Sequence, residues 1–388
     1  MKFYRIDDLP PYVFATVDQL KRQLRRDGRD VIDLGFGNPD IPSPEIAVEK
    51  LREAALNPRN HRYSVSRGID QLRLAAAEHY ERSFGVSLDP ETQIASTIGA
   101  KEGLAHLMWV LVDRGETVVV PTPAYPIHRV APRLAGATVV TPRADGGIEA
   151  IAEAVQTSRP KVVIVSFPHN PTTAVATAED MQRLVDLARE HEFLLIHDFA
   201  YADVTFDGHK PPSILAADGA LDCAVELYSL TKSFSMAGWR VGFVLGRADV
   251  VGALAKLKSY LDYGTFQPIQ IAATVTLREA PEYPAEVCEI YRSRRDALCN
   301  GLARAGWHVD PPRGTMFVWA PIPAQFKDLG SLEFALRLAR EADVAVSPGI
   351  GFGDGGDGHV RFALVENEQR IGQATRAIKK LLDASLTG

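Results

Sequence analysis

The chain has 388 residues, 46% hydrophobic and 24% charged, with a net charge of −6. That balance excludes a disordered or fibrous chain and leaves length for two or more domains with large cores. A mildly acidic chain without a long basic run excludes nucleic acid and anionic membrane as expected partners.

The opening stretch Met1–Asp8 is polar and acidic and lacks the apolar core of a signal peptide. No window of about eighteen uninterrupted apolar residues occurs, so no membrane span is expected and the expected location is cytoplasmic. Cys223, Cys288 and Cys299 are scattered, without a C-x-x-C pair, which fits buried thiols in a reducing compartment. The ten histidines show no H-E-x-x-H or similar spacing, so no metal is expected.

Leu9-Pro10-Pro11-Tyr12 leads into a basic amphipathic helix expected over Val13 to Arg26, and Asp33 to Pro42 reads as a turn by its glycines and prolines. Residues 1–43 thus read as an arm and part of a smaller domain. From about Pro44 to Gln270 short apolar or β-branched runs alternate with helical patterns. The runs are Glu116–Pro121, Lys161–Phe167, Phe193–Asp198, Ala224–Tyr228 and Val241–Gly246; the helical patterns include Ala100–Asp113 and Thr177–His191. Alternation of this kind predicts an α/β domain, here 44–280, with a mostly parallel sheet between helices. Ligands of such sheets sit at the carboxyl ends of the strands. From about Val287 the pattern changes to a charged helix (Tyr291–Gly306), strands near Met316–Ala320 and His359–Leu364, and a closing helix over Glu368–Ala384. Residues 281–388 read as a smaller α+β domain.

One segment carries the clearest chemistry. Ser229-Leu230-Thr231-Lys232 follows the strand-like run Ala224–Tyr228, and Gly238-Trp239-Arg240 comes shortly after. A lysine in a small-residue loop can reach a carbonyl, while hydroxyls and an arginine can hold a phosphate. The same spacing also fits a Ser-x-x-Lys nucleophile with Ser229 attacking, but that chemistry calls for S-D-N and K-T-G partners, and neither occurs. Three other points join Lys232: Asn170 in an Asn-Pro turn, Asp198 and Tyr201 at the end of the next apolar run, and Arg361 near the C-terminus. Each alone has an ordinary reading, as a turn, a helix cap or a surface cation. Together they supply what pyridoxal phosphate (PLP) requires: a carboxylate for the pyridine nitrogen, donors to the phenolic oxygen, a phosphate cup, a carrier lysine, and an arginine for an α-carboxylate.

The ordered set N-P, D-x-x-Y, S-x-x-K, the arginine eight residues on and the late Arg361-Phe362 resembles class I/II aminotransferases of the aspartate aminotransferase fold. Gly35-Phe36-Gly37-Asn38-Pro39-Asp40 and Tyr63-Ser64-Val65-Ser66-Arg67-Gly68 extend the match over nearly the whole chain. The resemblance implies the PLP-dependent transferase fold type I, its large domain built on a seven-stranded, mostly parallel sheet. It implies that Lys232 carries the cofactor and shuttles the proton, that Asp198 pairs with the pyridinium nitrogen, and that Asn170 and Tyr201 bond the phenolic oxygen. Tyr125 would stack on the ring. Backbone groups of Ala100 and Lys101, at a helix start, would hold the phosphate with Ser229 and Arg240. Arg361 would grip the substrate carboxylate, assisted by Gly37 and Asn170. Tyr63 would reach the phosphate of the neighbouring subunit, which implies a homodimer with shared sites.

Within the family, Leu9–Phe14, Tyr63–Gly68, Ile98–Leu107, His197–Asp203, Tyr260–Phe266 and Ser347–Gly353 resemble a bacterial branch of glutamate–pyruvate (alanine) and LL-diaminopimelate aminotransferases. The leading expectation is glutamate plus pyruvate to 2-oxoglutarate plus alanine, with LL-diaminopimelate or broad specificity as the alternative. No motif places a second cation for a distal carboxylate. The Tyr260–Phe266 loop reads equally as a substrate contact across a dimer or as interface packing. A C–S lyase or an aminoacyl-ketone synthase would use the same scaffold. A PLP-binding transcription regulator ranks last, since the arm ahead of Gly35 is too short for a winged helix. The run Gly349–Gly356 follows no strong strand and opens no helix, so it reads as a loop near the site, not a dinucleotide fingerprint.

Overall fold

The computed structural model describes residues 1–385 except Tyr4, Asp8 and Pro10, and of Ser385 only the backbone. Tyr4 and Asp8 of the polar N-terminus, and Pro10 of the Leu9–Phe14 motif, lie outside the described residues. The strands in chain order are β1 (Ile32–Asp33), β2 (Ile94–Thr97), β3 (Thr117–Val119), β4 (Thr138–Val140), β5 (Val162–Ser166), β6 (Leu194–Asp198), β7 (Ala224–Ser229), β8 (Gly242–Gly246), β9 (Phe317–Pro321), β10 (Val344–Ala345), β11 (Ser347–Pro348) and β12 (His359–Ala363).

Seven strands form the main sheet in the order β2-β8-β7-β6-β5-β3-β4. All neighbours are parallel except β8, which runs antiparallel to β2 and β7. The central strands are buried on both faces, which is why they read as continuous apolar runs. Their side chains nevertheless alternate between two cores. Val163, Val165 and Leu195 pack in one cluster; Val162, Ile164, Leu194 and Ile196 pack in the other.

The flanking helices follow from local chemistry. Thr177 accepts from the Asp180 amide while the Asp180 side chain accepts from the Thr177 amide, a capping box that starts Ala178–Glu190. Met181, Leu184, Val185 and Ala188 are then buried at helical spacing. Several helices were not expected from the sequence, among them Glu45–Ala55, Asp70–Phe84, Pro126–Ala135, Ala248–Leu261 and Gln267–Glu279. Pro126 and Pro268 look like breakers but occupy first turns, where no amide is needed. The same applies to Pro284, so the helix expected from Tyr291 begins at Tyr283 and runs to Arg304.

A second core joins the two ends of the chain. Antiparallel strands in the order β11-β12-β9, with the parallel pair β1 and β10, pack beside the helices Phe14–Arg26, Tyr283–Arg304, Gly330–Ala342 and Glu368–Ser385. Val17, Leu24, Ile32, Leu298, Phe334, Phe362 and Ile378 share that cluster, and Tyr201 joins it. Among the described residues no helix is long and apolar enough to cross a membrane.

Strand β8 lies close against the start of helix Ala100–Leu111. A Cβ placed on Gly242 would stand 2.7 Å from the Ala100 nitrogen and 2.9 Å from the Gly99 carbonyl carbon, both backbone atoms that cannot swing aside. Gly242→Ala is therefore expected to destabilise the protein by about 1–3 kcal/mol, the range for overpacking. Urea denaturation checks this, and an unchanged midpoint would show that the turn has slack.

Candidate active site

The parallel strands deliver their last residues to one edge of the sheet. Ser166 at the end of β5 pairs with Asp198 at the end of β6, and Asp198 with Leu227 of β7. Beyond those ends lie Asn170, Tyr201 and Lys232. The N-terminal helix and strands β9, β11 and β12 close over them. The result is a cavity of about 650 Å³ lined by Gly37, Ala100, Lys101, Tyr125, Asn170, Asp198, Tyr201, Ser229, Lys232, Arg240 and Arg361. The sequence-predicted site residues thus come together from seven regions of the chain, with one exception. Tyr63 is 87% exposed, does not line the cavity, and packs instead against Tyr263 with ring centroids 5.1 Å apart.

Lys232 sits on the short helix Leu230–Ser233, capped by the Ser229 hydroxyl, which accepts the Thr231 amide. Its Nζ donates to the Gly37 carbonyl at 2.8 Å. No carboxylate pairs with it among the described residues. Burial, with the cations Arg361 and Arg240 nearby, brings its pKa down to about 7. The amine is therefore poised near neutrality as a nucleophile and base.

Asp198 lies in a nearly buried place. Its Oδ2 lies 2.7 Å from His128 Nε2 and its Oδ1 accepts the Ala200 amide. Asn170 Nδ2 donates to the Tyr201 hydroxyl at 3.5 Å, and Asn170 Oδ1 accepts from Arg361 Nη1 at 2.7 Å. Burial raises the Tyr201 phenol far above its ordinary value, so it stays protonated as a donor.

Arg361 projects from β12 between two rings, with its guanidinium carbon 3.8 Å from the Phe317 centroid and 4.6 Å from that of Phe352. Nη2 reaches the Gly35 carbonyl at 3.2 Å and Ser347 Oγ at 3.4 Å. Its buried Nε has no hydrogen-bond partner, and no carboxylate pairs with the group among the described residues. Burial lowers its pKa to about 10, so it remains cationic.

At the opposite end, Ala100 opens a twelve-residue helix behind Gly99, whose φ is +79°. A Cβ on Gly99 would collide with the Arg240 guanidinium. Arg240 gives Nη1 to Ala237 and Nη2 to Ile98, both backbone carbonyls, and no carboxylate pairs with it among the described residues. A helix start, a hydroxyl and a free guanidinium form an anion cradle. Tyr125 caps the helix Pro126–Ala135, with Lys101 Nζ 5.7 Å above its ring.

Sequence reasoning missed several contributors. His128 lies one helical turn past Tyr125, a spacing that would have pointed it at the same site. Phe317 has no local signal because the facing of its strand is set by pairing, and Phe352 sits in the glycine-rich turn Gly349–Phe352. The N-terminal helix is an arm by its sequence, yet its Phe14, Val17, Asp18 and Lys21 line the cavity.

A buried carrier-type lysine, a carboxylate at a strand end, an anion cradle and an unpaired arginine define a site for PLP and an amino acid on this fold. The family model described as "Aminotransferase class I and II" matches residues 29–378. The chain is 49% identical to glutamate-pyruvate aminotransferase AlaC of Escherichia coli K12, covering 99% of this chain and 94% of that protein. It is 39% identical to the LL-diaminopimelate aminotransferase of Moorella thermoacetica, over 97% of each. A solved single mutant of Thermus thermophilus aspartate aminotransferase superposes with a TM-score of 0.90 at 29% identity, covering 98% of this chain and 99% of the other. The chain belongs to the class I and II aminotransferases and is a PLP-dependent transaminase of the aspartate aminotransferase fold.

The unpaired amine has a thermodynamic signature. Folded Lys232 titrates near 7 and its ordinary value is 10.5, so between those values the unfolded chain holds a proton that the folded chain has lost. Stability of the cofactor-free protein therefore rises with pH through that window, and below about 7 the penalty of burying the charge is complete. Lys232→Met should be more stable than wild type at pH 7, with its advantage shrinking toward pH 10. A gap that stays constant in denaturation at several pH values would mean the amine is solvated.

Proposed function

We propose that the chain transfers the amino group of glutamate to pyruvate, giving 2-oxoglutarate and alanine in two half-reactions. The supporting comparison is the 49% identity to a protein named for that reaction. The observation that carries the site reading is the unpaired Lys232 amine, held beside Arg361 and Asn170 in one cavity with Asp198.

The residues present suit the cofactor. Bound PLP supplies an electron sink for the carbanion that develops at the substrate's Cα. Asp198, steadied by His128, would hold the ring nitrogen protonated. Asn170 and Tyr201 would donate to the phenolic oxygen. Tyr125 would cover the ring face. Ala100, Lys101, Ser229 and Arg240 would hold the phosphate. Arg361, with Gly37 and Asn170, would grip the α-carboxylate by paired hydrogen bonds, and its unsatisfied Nε shows capacity to spare. That grip orients Cα toward Lys232, whose Nζ takes the proton in its neutral form. The rings of Phe317 and Phe352 keep water off the guanidinium and strengthen its hold.

We further read the exposed Tyr63, Tyr260, Tyr263 and Phe266 as the face that meets a second copy of the chain. In that homodimer Tyr63 would serve the neighbour's phosphate. The cytoplasm is the proposed compartment. A second reading, LL-diaminopimelate as amino donor, draws on the 39% identity to an enzyme so named.

Three outcomes test these readings. Steady-state assays with pyruvate should give alanine faster from glutamate than from LL-diaminopimelate; the reverse order selects the second reading. Arg361→Gln should lower kcat/KM for both amino acid and 2-oxo acid about a hundredfold, in keeping with losing one partner of a buried ionic contact. An unchanged kcat/KM would assign the carboxylate to another group. Sedimentation should give a dimer, and Tyr63→Ala should weaken PLP retention while leaving the monomer fold intact; a monomer that retains full activity would refute shared sites.

A further inference from the structure

Helix Ala248–Leu261 buries a lysine for which the reaction has no use. Lys258 is completely buried, and its Nζ donates to Glu102 Oε1 at 2.8 Å and to Asp262 Oδ2 at 2.9 Å. Glu102 Oε1 also lies 2.7 Å from His106 Nδ1. Glu102, His106 and Asp262 converge closely enough to hold a metal ion, but the Lys258 ammonium already stands among them. A buried ammonium survives only with such compensation.

The cluster touches the anion cradle directly. Glu102 lies in the first turn of helix Ala100–Leu111, and its Oε2 accepts the Ile98 amide at 2.9 Å. The carbonyl of the same Ile98 accepts Arg240 Nη2 at 3.3 Å. The backbone of one residue thus links Glu102 to the guanidinium of the cradle. A bare carboxylate one residue past Lys101 would repel any anion bound at that helix start. Burial alone would raise the Glu102 pKa, but His106 and Lys258 bring it to about 2, so it stays ionised and its charge needs neutralising. On the other side, Asp262 Oδ1 accepts the Gly264 amide at 2.6 Å, which ties the loop after the helix to the same ammonium.

We propose that Lys258 is a positioning residue for the cofactor's phosphate: it neutralises Glu102 and, through it, fixes the Ile98–Lys101 turn. The proposal rests on the reading of that turn as the phosphate cradle. It predicts a dependence on the phosphate, because the hydrogen bonds from Lys258 toward the cavity run through Glu102 to that turn.

The test compares the dissociation constants of PLP and of pyridoxal, which lacks the phosphate, for the apoenzyme. Lys258→Met should weaken PLP about tenfold, the value of one charge-assisted contact, and leave pyridoxal within about twofold. Adding Glu102→Gln to Lys258→Met removes the stranded charge yet keeps an acceptor for Ile98, and should recover most of the loss. Unchanged PLP affinity in Lys258→Met would overturn the proposal. So would an equal loss for both ligands that the double variant does not recover, since that is general disruption. Arg240→Gln serves as the control: if it too shows no phosphate-specific loss, the cradle reading fails and the proposal falls with it.

Discussion

The desolvation of one amine governs this site. Lys232 is enclosed with two arginines for neighbours and no carboxylate, so its proton is held weakly. A lysine on a solvated loop would stay charged and be neither nucleophile nor base at neutral pH. The contrast with Lys258 is instructive. Both side chains are buried, but Lys258 has two carboxylates on its nitrogen and is an ion pair, whereas Lys232 donates to the Gly37 carbonyl and meets no carboxylate among the described residues. Position in the fold, not residue type, divides structural from reactive lysine.

Enclosing Lys232 requires two bodies of the protein to meet. The main sheet carries Asp198, Ser229 and Lys232 to its edge. The second core carries Arg361 on β12, with Phe317 on β9 beneath it. Asn170 joins them, since it bonds both Tyr201 and Arg361. Arg361 therefore combines its proposed duty toward a carboxylate with a field that helps to lower the Lys232 pKa. The two cations that depress Lys232 are the ones proposed to bind the anionic ends of cofactor and substrate, and binding those anions would relieve the repulsion on the amine.

Much of this was legible in the chain. The strands ending at Ser166, Asp198 and Ser229 announced themselves because both faces are buried, which demands unbroken apolar residues. Asn170, Asp198, Tyr201 and Lys232 follow those ends within a few residues, so local sequence carries their placement. Other features depend on long-range contact and leave no local trace. His128 on Asp198 spans seventy residues, and of the rings flanking Arg361 one comes from a strand whose facing is fixed only by pairing and the other from the glycine-rich turn Gly349–Phe352. The three-residue strand β4 is too short to show a period, and helices opening on proline resemble loops. Tyr63 matches its family motif, yet a single chain leaves it on the surface, because its proposed duty belongs to an assembly of two chains.

The central claim, that Lys232 carries the cofactor and releases it to an amino group taken from glutamate, is tested most directly by absorption spectroscopy of the purified holoenzyme. The visible band of lysine-bound cofactor should vanish when glutamate is added without an acceptor, and return on adding pyruvate, with Lys232→Ala lacking the band from the start. A band that glutamate leaves untouched, or one that persists in Lys232→Ala, would contradict the account.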